Sequence, residues 1–207
     1  TRDIMESANI HSGIFMNGQV VLYQGERVFS SEIPTETVER FHQMVKEDGY
    51  GLTAYNDKEF YLVESSAGAK DAYGFIHTNP PALKEDFYKE NPINMMLFIS
   101  LPPAEEKYKV AFPNLDFLRN TPYSVDVISK GNSKAEGIKR FLEHLNQEDA
   151  ETYAFGDGPN DIEMLQAVTH PVAMGNALPV LKEIAEFITT NNTDNGIVNG
   201  LKHYGLI

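Results

Sequence analysis

Apolar and polar positions divide the chain into two regimes. Up to about residue 126 the apolar runs are short and of strand length, with helical spacing in only a few places. Residues 13–16 read as a short buried strand, and Asn17-Gly18 as a turn between apolar runs. Residues 19–23 and 27–31 then form a predicted hairpin around Gln24-Gly25-Glu26. Pro34-Thr35-Glu36 opens a helix whose apolar positions Val38, Phe41, Met44 and Val45 follow the 3.6-residue period, and Asp48-Gly49 ends it. Strands are predicted at 50–55, 59–63, 95–99, 115–119 and 123–128, with helices at 83–89 and 104–111. The stretch 65–91 is the least periodic. A helix is also expected over residues 1–10.

From Val127 the pattern becomes a strict alternation of strand and helix. Ser133-Lys134-Ala135-Glu136 is a capping box, and the helix after it carries Ala135, Ile138, Phe141, Leu142 and Leu145 on one face. Strands at 153–155, 170–174 and 187–189 alternate with helices from Asn160, at 179–186 and at 196–203. Such alternation implies a parallel sheet covered by helices. The simplest architecture is an α+β module inserted into an α/β core. Its expected limits are 1–17 for the first part of the core, 18–120 for the module and 121–207 for the rest of the core. The strand at 14–16 is a candidate for the same core sheet.

Composition changes this picture mainly by exclusion. The 207 residues hold 17 Lys and Arg against 30 Asp and Glu, a formal net charge of −13. That balance offers no basic stripe for phosphate backbones and repels anionic lipid, so neither nucleic acid nor membrane is an expected partner. There are no cysteines, which removes thiolate metal sites and thiol nucleophiles and fits a cytoplasmic location. The first residues do not read as a signal peptide. The six histidines show no paired metal spacing.

The chemistry concentrates at Tyr153-Ala154-Phe155-Gly156-Asp157-Gly158-Pro159-Asn160-Asp161, an apolar strand followed by a tight turn and a helix start. Pro159 suits the first helical position, and Asp161 in the first turn meets the positive end of the helix dipole. Turn chemistry accounts for those two residues but leaves Asp157 and Asn160 unexplained. In open α/β sheets, ligands bind beyond the carboxyl ends of the strands. Asn17, Lys130 and the 157–161 turn should all follow strands there. A cation, amides and two carboxylates at one rim suit a phosphate with a hard divalent ion. Each also has an ordinary role: Lys130 as a solvated loop lysine, Asn17 as a turn former, Asn176 as the shaper of its loop.

Ser129-Lys130-Gly131, the Gly156-Asp157-Gly158-Pro159-Asn160-Asp161 run and Val172-Ala173-Met174-Gly175-Asn176-Ala177 together resemble the Cof-type phosphatases of the haloacid dehalogenase superfamily. Phe15-Met16-Asn17-Gly18 is similar to the point where those enzymes leave the core for a large inserted cap. The resemblance implies a Rossmann-like core with an α+β cap. It implies a magnesium-dependent phosphohydrolase of small phosphorylated metabolites, working through an aspartyl-phosphate. By match to the motifs, Asp157 would ligate Mg2+. Lys130 would hold the phosphate and the attacking carboxylate. Asn160 would contact phosphate or position Lys130. Asp161 would support the metal or hold Lys130, and Asn17 would lie on the phosphate side.

The cap would select the substrate, with Tyr50, Tyr55, Tyr61 and the loop 65–81 as candidates. A phosphosugar mutase and a non-catalytic phosphometabolite binder are the alternatives. The family's nucleophile sits in an Asp-x-Asp motif, and these 207 residues contain none. The expectation is therefore a truncated, inactive form, because a sheet without its central strand would expose open edges.

Overall fold

The computed structural model describes residue 5 and residues 7–207, so most of the helix expected over 1–10 lies outside the described residues. The chain forms two compact units, Thr1–Asn132 and Ser133–Ile207.

The first unit opens with β1 (Gly13–Phe15), β2 (Val20–Tyr23) and β3 (Glu26–Ser30) in an antiparallel three-stranded sheet. Asn17 turns the chain between β1 and β2 with a left-handed backbone, φ 54° and ψ 40°. The first strand therefore pairs Ile14 with Val21 across a hairpin, and not with the parallel core sheet for which the sequence makes it a candidate. A separation of only four residues, 16–19, with a turn-forming Asn-Gly inside it, favours this local antiparallel partner.

A five-stranded antiparallel sheet follows, in the order β5 (Phe60–Glu64), β4 (Gly51–Tyr55), β6 (Met95–Ile99), β8 (Ser124–Ser129), β7 (Leu115–Thr121). Period-two alternation sends Leu52, Ala54, Met96, Phe98, Val125 and Val127 to one face. There they meet Val38, Phe41 and Val45 of α1 (Thr35–Asp48) and Tyr108 of α4 (Glu105–Ala111). The other face is partly covered by α2 (Ala69–Phe75), which seats Ala69, Ala72 and Tyr73 against Leu62 and Ile99.

One expectation changes here. Helix α2 lies in the stretch without clear periodicity, and the helix predicted at 83–89 shrinks to α3 (Phe87–Glu90), because Leu83 bridges to Leu62 instead. The β7–β8 hairpin pairs Phe117 with Val127. The break between units comes at residue 132, where the antiparallel pairing has ended.

The second unit alternates α5 (Lys134–Leu145), β9 (Tyr153–Gly156), α6 (Ile162–Ala167), β10 (His170–Ala173), α7 (Pro179–Ile184), β11 (Phe187–Ile188) and α8 (Gly196–His203). Its strands are parallel, ordered β11-β10-β9, as the alternation predicts. The Ser133 hydroxyl accepts the Glu136 N–H at 3.3 Å and so caps α5. Ala154, Leu165, Ala173, Met174 and Leu181 form the core. No helix among the described residues is long and apolar enough to cross a membrane.

Candidate functional site

Parallel strands leave their carboxyl ends on one edge of the sheet, and in the second unit three loops begin there. They are 157–161 after β9, 174–178 after β10 and 189–195 after β11. Hydrogen bonds join them: the Met174 N–H donates to the Gly156 carbonyl, the Gly175 N–H to Thr190, and the Leu178 N–H to Asp157. Close approach requires glycine at two of the contacts. A Cβ on Gly156 would stand 2.7 Å from the Asp161 Cβ, and one on Gly175 would stand 2.7 Å from the Asn191 backbone nitrogen.

Asp161 is the hub of the first loop and is only 6% exposed. Its Oδ2 accepts the N–H groups of Asp157 and Gly158, each at 3.0 Å. Its Oδ1 takes the ammonium of Lys134 at 2.5 Å. Burial by itself would raise the carboxyl pKa. The Lys134 ammonium and the two backbone N–H groups outweigh it and hold the group below the usual aspartate value. Asp161 is thus a fixed anion with both oxygens committed.

Asp157 is its counterpart, exposed at the rim. The Asn176 carboxamide donates to its Oδ2 at 2.8 Å and accepts the Asn192 N–H at 3.0 Å, so one side chain ties all three loops together. The other Asp157 oxygen takes no hydrogen bond from the described residues. Asn160 is half-buried beside Gly158, where a Cβ would meet the Asn160 Oδ1 at 3.0 Å. Lys182 donates to the Gly175 carbonyl at 2.6 Å and braces the second loop.

The lysine at Asp161 is therefore Lys134, where motif matching points to Lys130. The reason is local geometry: Lys134 is the first residue of α5, directly after its cap, whereas Lys130 belongs to the first unit. There the Lys130 N–H donates to Asn114 and its ammonium reaches the Pro113 carbonyl at 3.4 Å. Asn17 is also in the first unit, with its amide on Asp126 Oδ2 at 3.0 Å. The signal for Lys134 was present as the second lysine of Lys130-Gly131-Asn132-Ser133-Lys134, inside the capping box.

The donor set also decides what a cation could use. Among the described residues no group of three His, Asp or Glu side chains could hold a metal. Mg2+, however, is commonly bound through one or two carboxylates, with water and substrate phosphate completing its shell. Asp157, with one oxygen oriented and one open, fits that pattern. Asp161 fits as support and not as a direct ligand, since its oxygens are already taken.

The tyrosines considered for substrate selection are mostly packed inward. Tyr50 stands edge-on to Phe98 at 5.4 Å, and Tyr61 lies 5.0 Å from Phe87. Tyr55 shares a hydroxyl network with Tyr73, at 3.0 Å, which continues to Thr53 at 2.7 Å. Burial first, then the Tyr73 hydroxyl and the Asp126 charge, push the Tyr55 phenol well above its ordinary range.

The model of the haloacid dehalogenase-like hydrolase family matches residues 1–201. YkrA of Bacillus subtilis, classed as a presumptive phosphatase, is 35% identical over 207 residues, which cover all of this chain and 80% of that protein. A protein of Geobacillus kaustophilus HTA426 known from its crystal structure aligns with a TM-score of 0.89 at 30% identity, over 100% of this chain and 81% of that one. A subclass IIB sugar phosphatase of the superfamily aligns at 0.85 and 27% identity, over 99% and 80%.

Proposed function

Because the chain belongs to the haloacid dehalogenase-like hydrolases, we propose that it is the greater part of a magnesium-dependent phosphohydrolase. Its substrates are small phosphorylated metabolites of the cytoplasm, sugar phosphates among them, and its chemistry runs through an aspartyl-phosphate. The observation that carries the reading is the pair of unlike carboxylates at the sheet edge. Asp161 is buried and locked to Lys134, while Asp157 is exposed, oriented by Asn176 and open on one oxygen.

In this reading Asp157 holds the Mg2+, which when bound supplies charge neutralisation for the transferring phosphoryl group. Lys134 brings the second positive charge and, fixed by Asp161, keeps its ammonium aimed rather than sweeping through solvent. That placement lowers the repulsion between a phosphate dianion and an attacking carboxylate. Asn160 is the phosphate-side amide, and Asn176 is a positioning residue acting through Asp157. We read the α+β part of the first unit as the inserted module that selects the leaving group. No Asp-x-Asp occurs in the 207 residues, so the nucleophile is not among them.

The test is magnesium-dependent release of phosphate from an aryl phosphate by the natural gene product. Asp157→Ala should abolish it. Activity that survives Asp157→Ala undiminished would remove the metal assignment. The 207 residues alone should show no turnover, and robust hydrolysis by them would overturn the claim that the nucleophile is missing.

A further inference from the structure

The first unit contains a cavity of about 700 Å³ at the end of the five-stranded sheet where β6 finishes and β8 begins. That size lies in the range of small-molecule sites, and none of its lining residues belongs to the loops around Asp157. Its walls are apolar and aromatic, with Tyr50, Ile99, Pro102 and Tyr123 among them, and Leu101 is 60% exposed at its rim.

Three lining groups carry formal charge, and they do not balance. Lys107 donates to Asp48 Oδ1 at 2.8 Å and Oδ2 at 2.9 Å, and the Tyr108 hydroxyl adds a bond to the same carboxylate at 2.8 Å. The Asp48 and Lys107 charges therefore offset each other. Asp71, exposed in the first turn of α2, has no hydrogen-bond or ion-pair partner among the described residues. The Ser66 hydroxyl is a second uncommitted group, buried without a partner. A buried polar atom without a partner costs free energy and calls for an explanation, which a bound donor or acceptor would supply.

We propose that this cavity binds a small organic ammonium ion with an apolar body. Its charge meets Asp71, and its body lies along Tyr50, Ile99, Pro102 and Tyr123. An anion is disfavoured twice, because Lys107 is spent on Asp48 and the chain as a whole carries −13. A bare metal ion is disfavoured by the single free carboxylate and the apolar walls. Aromatic faces add attraction for a cation at close range.

The probe is 2-phenylethylamine, titrated into the full chain by calorimetry with amide chemical shifts as a second readout, against 3-phenylpropanoate as its anionic counterpart. The amine should bind saturably, with shifts confined to residues near 50, 66–71, 99–104 and 123. Asp71→Asn should weaken it about tenfold or more, as expected for losing a hydrogen bond to a charged group. Because Asp71 is exposed, its substitution should leave the unliganded melting temperature unchanged. Tyr123→Ala should weaken binding independently through the apolar wall. Equal binding of the two probes, affinity unchanged in Asp71→Asn, or no saturation by about 10 mM amine would each overturn the proposal. The titration does not involve Asp157 or Lys134, so a failed phosphatase assignment would leave it unaltered.

Discussion

Replacing Asp161 with alanine removes three acceptor contacts from a residue that is 6% exposed. Two are backbone N–H groups, each worth about 1 kcal/mol net, and leaving them unpaired costs somewhat more where water cannot reach. The third is the Lys134 ion pair. The Lys134 side chain is 32% exposed and can rehydrate, so its loss is discounted to about 1 kcal/mol. These contacts share one carboxylate and are not additive, which gives a total destabilisation of about 2–4 kcal/mol. Asp161→Asn separates the parts. Its single oxygen can keep the two backbone bonds, but its amide presents donors to the Lys134 ammonium, and the expected cost falls to about 1–2 kcal/mol.

The pH dependence follows from the direction of the shift. The folded-state pKa of Asp161 lies below its unfolded value. Its stabilisation is therefore complete above the unfolded pKa of about 3.9 and drains away as pH falls through the folded value. Urea unfolding followed by circular dichroism should show the full gap between Asp161→Ala and the parent at pH 7 and a narrowed gap near pH 3. A gap below about 1 kcal/mol at pH 7 would refute the hub role, as would a gap that widens on acidification.

Other outcomes follow from the same geometry. Gly156→Ala forces a methyl to 2.7 Å from the Asp161 Cβ and should cost about 1–3 kcal/mol in urea unfolding. Asn176→Ala should leave the fold intact but reduce the thermal shift produced by Mg2+, because Asp157 loses its orienting donor. Arg119→Ala should destabilise the first unit by about 2–4 kcal/mol, since Arg119 holds the buried Glu105 through bonds of 2.7 and 2.6 Å. The Arg119 bonds are the main reason that the Glu105 pKa is lowered, so its stabilisation too should fade on acidification from about pH 4.

The second unit was legible because its physics is local. Strand–helix alternation, a Ser133 cap and a Gly-Asp-Gly-Pro turn each leave a signature within a few residues, and the parallel sheet follows from them. The Asp157–Asp161 loop was legible for the same reason. What the sequence concealed was partner choice across longer separations. Ile14 could serve a parallel sheet or a hairpin, and only the β1–β2 register decides between them. Helix α2 hid among Gly, Ala and Asp because it buries little more than Ala69, Ala72 and Tyr73. The two lysines flanking Gly131-Asn132-Ser133 are chemically alike. The cap on α5 turns Lys134 toward Asp161, and a motif read without its helix start cannot tell the two apart.

The choice between those lysines is also where the functional account can be tested most directly. Lys134→Met and Lys130→Met should be compared in the natural gene product for magnesium-dependent phosphate release. If Lys134 supplies the charge at the transferring phosphoryl group, Lys134→Met should lower kcat by about 100-fold or more while Lys130→Met stays within about twofold. The reverse order, or equal and small effects, would contradict the site as assembled around Asp161.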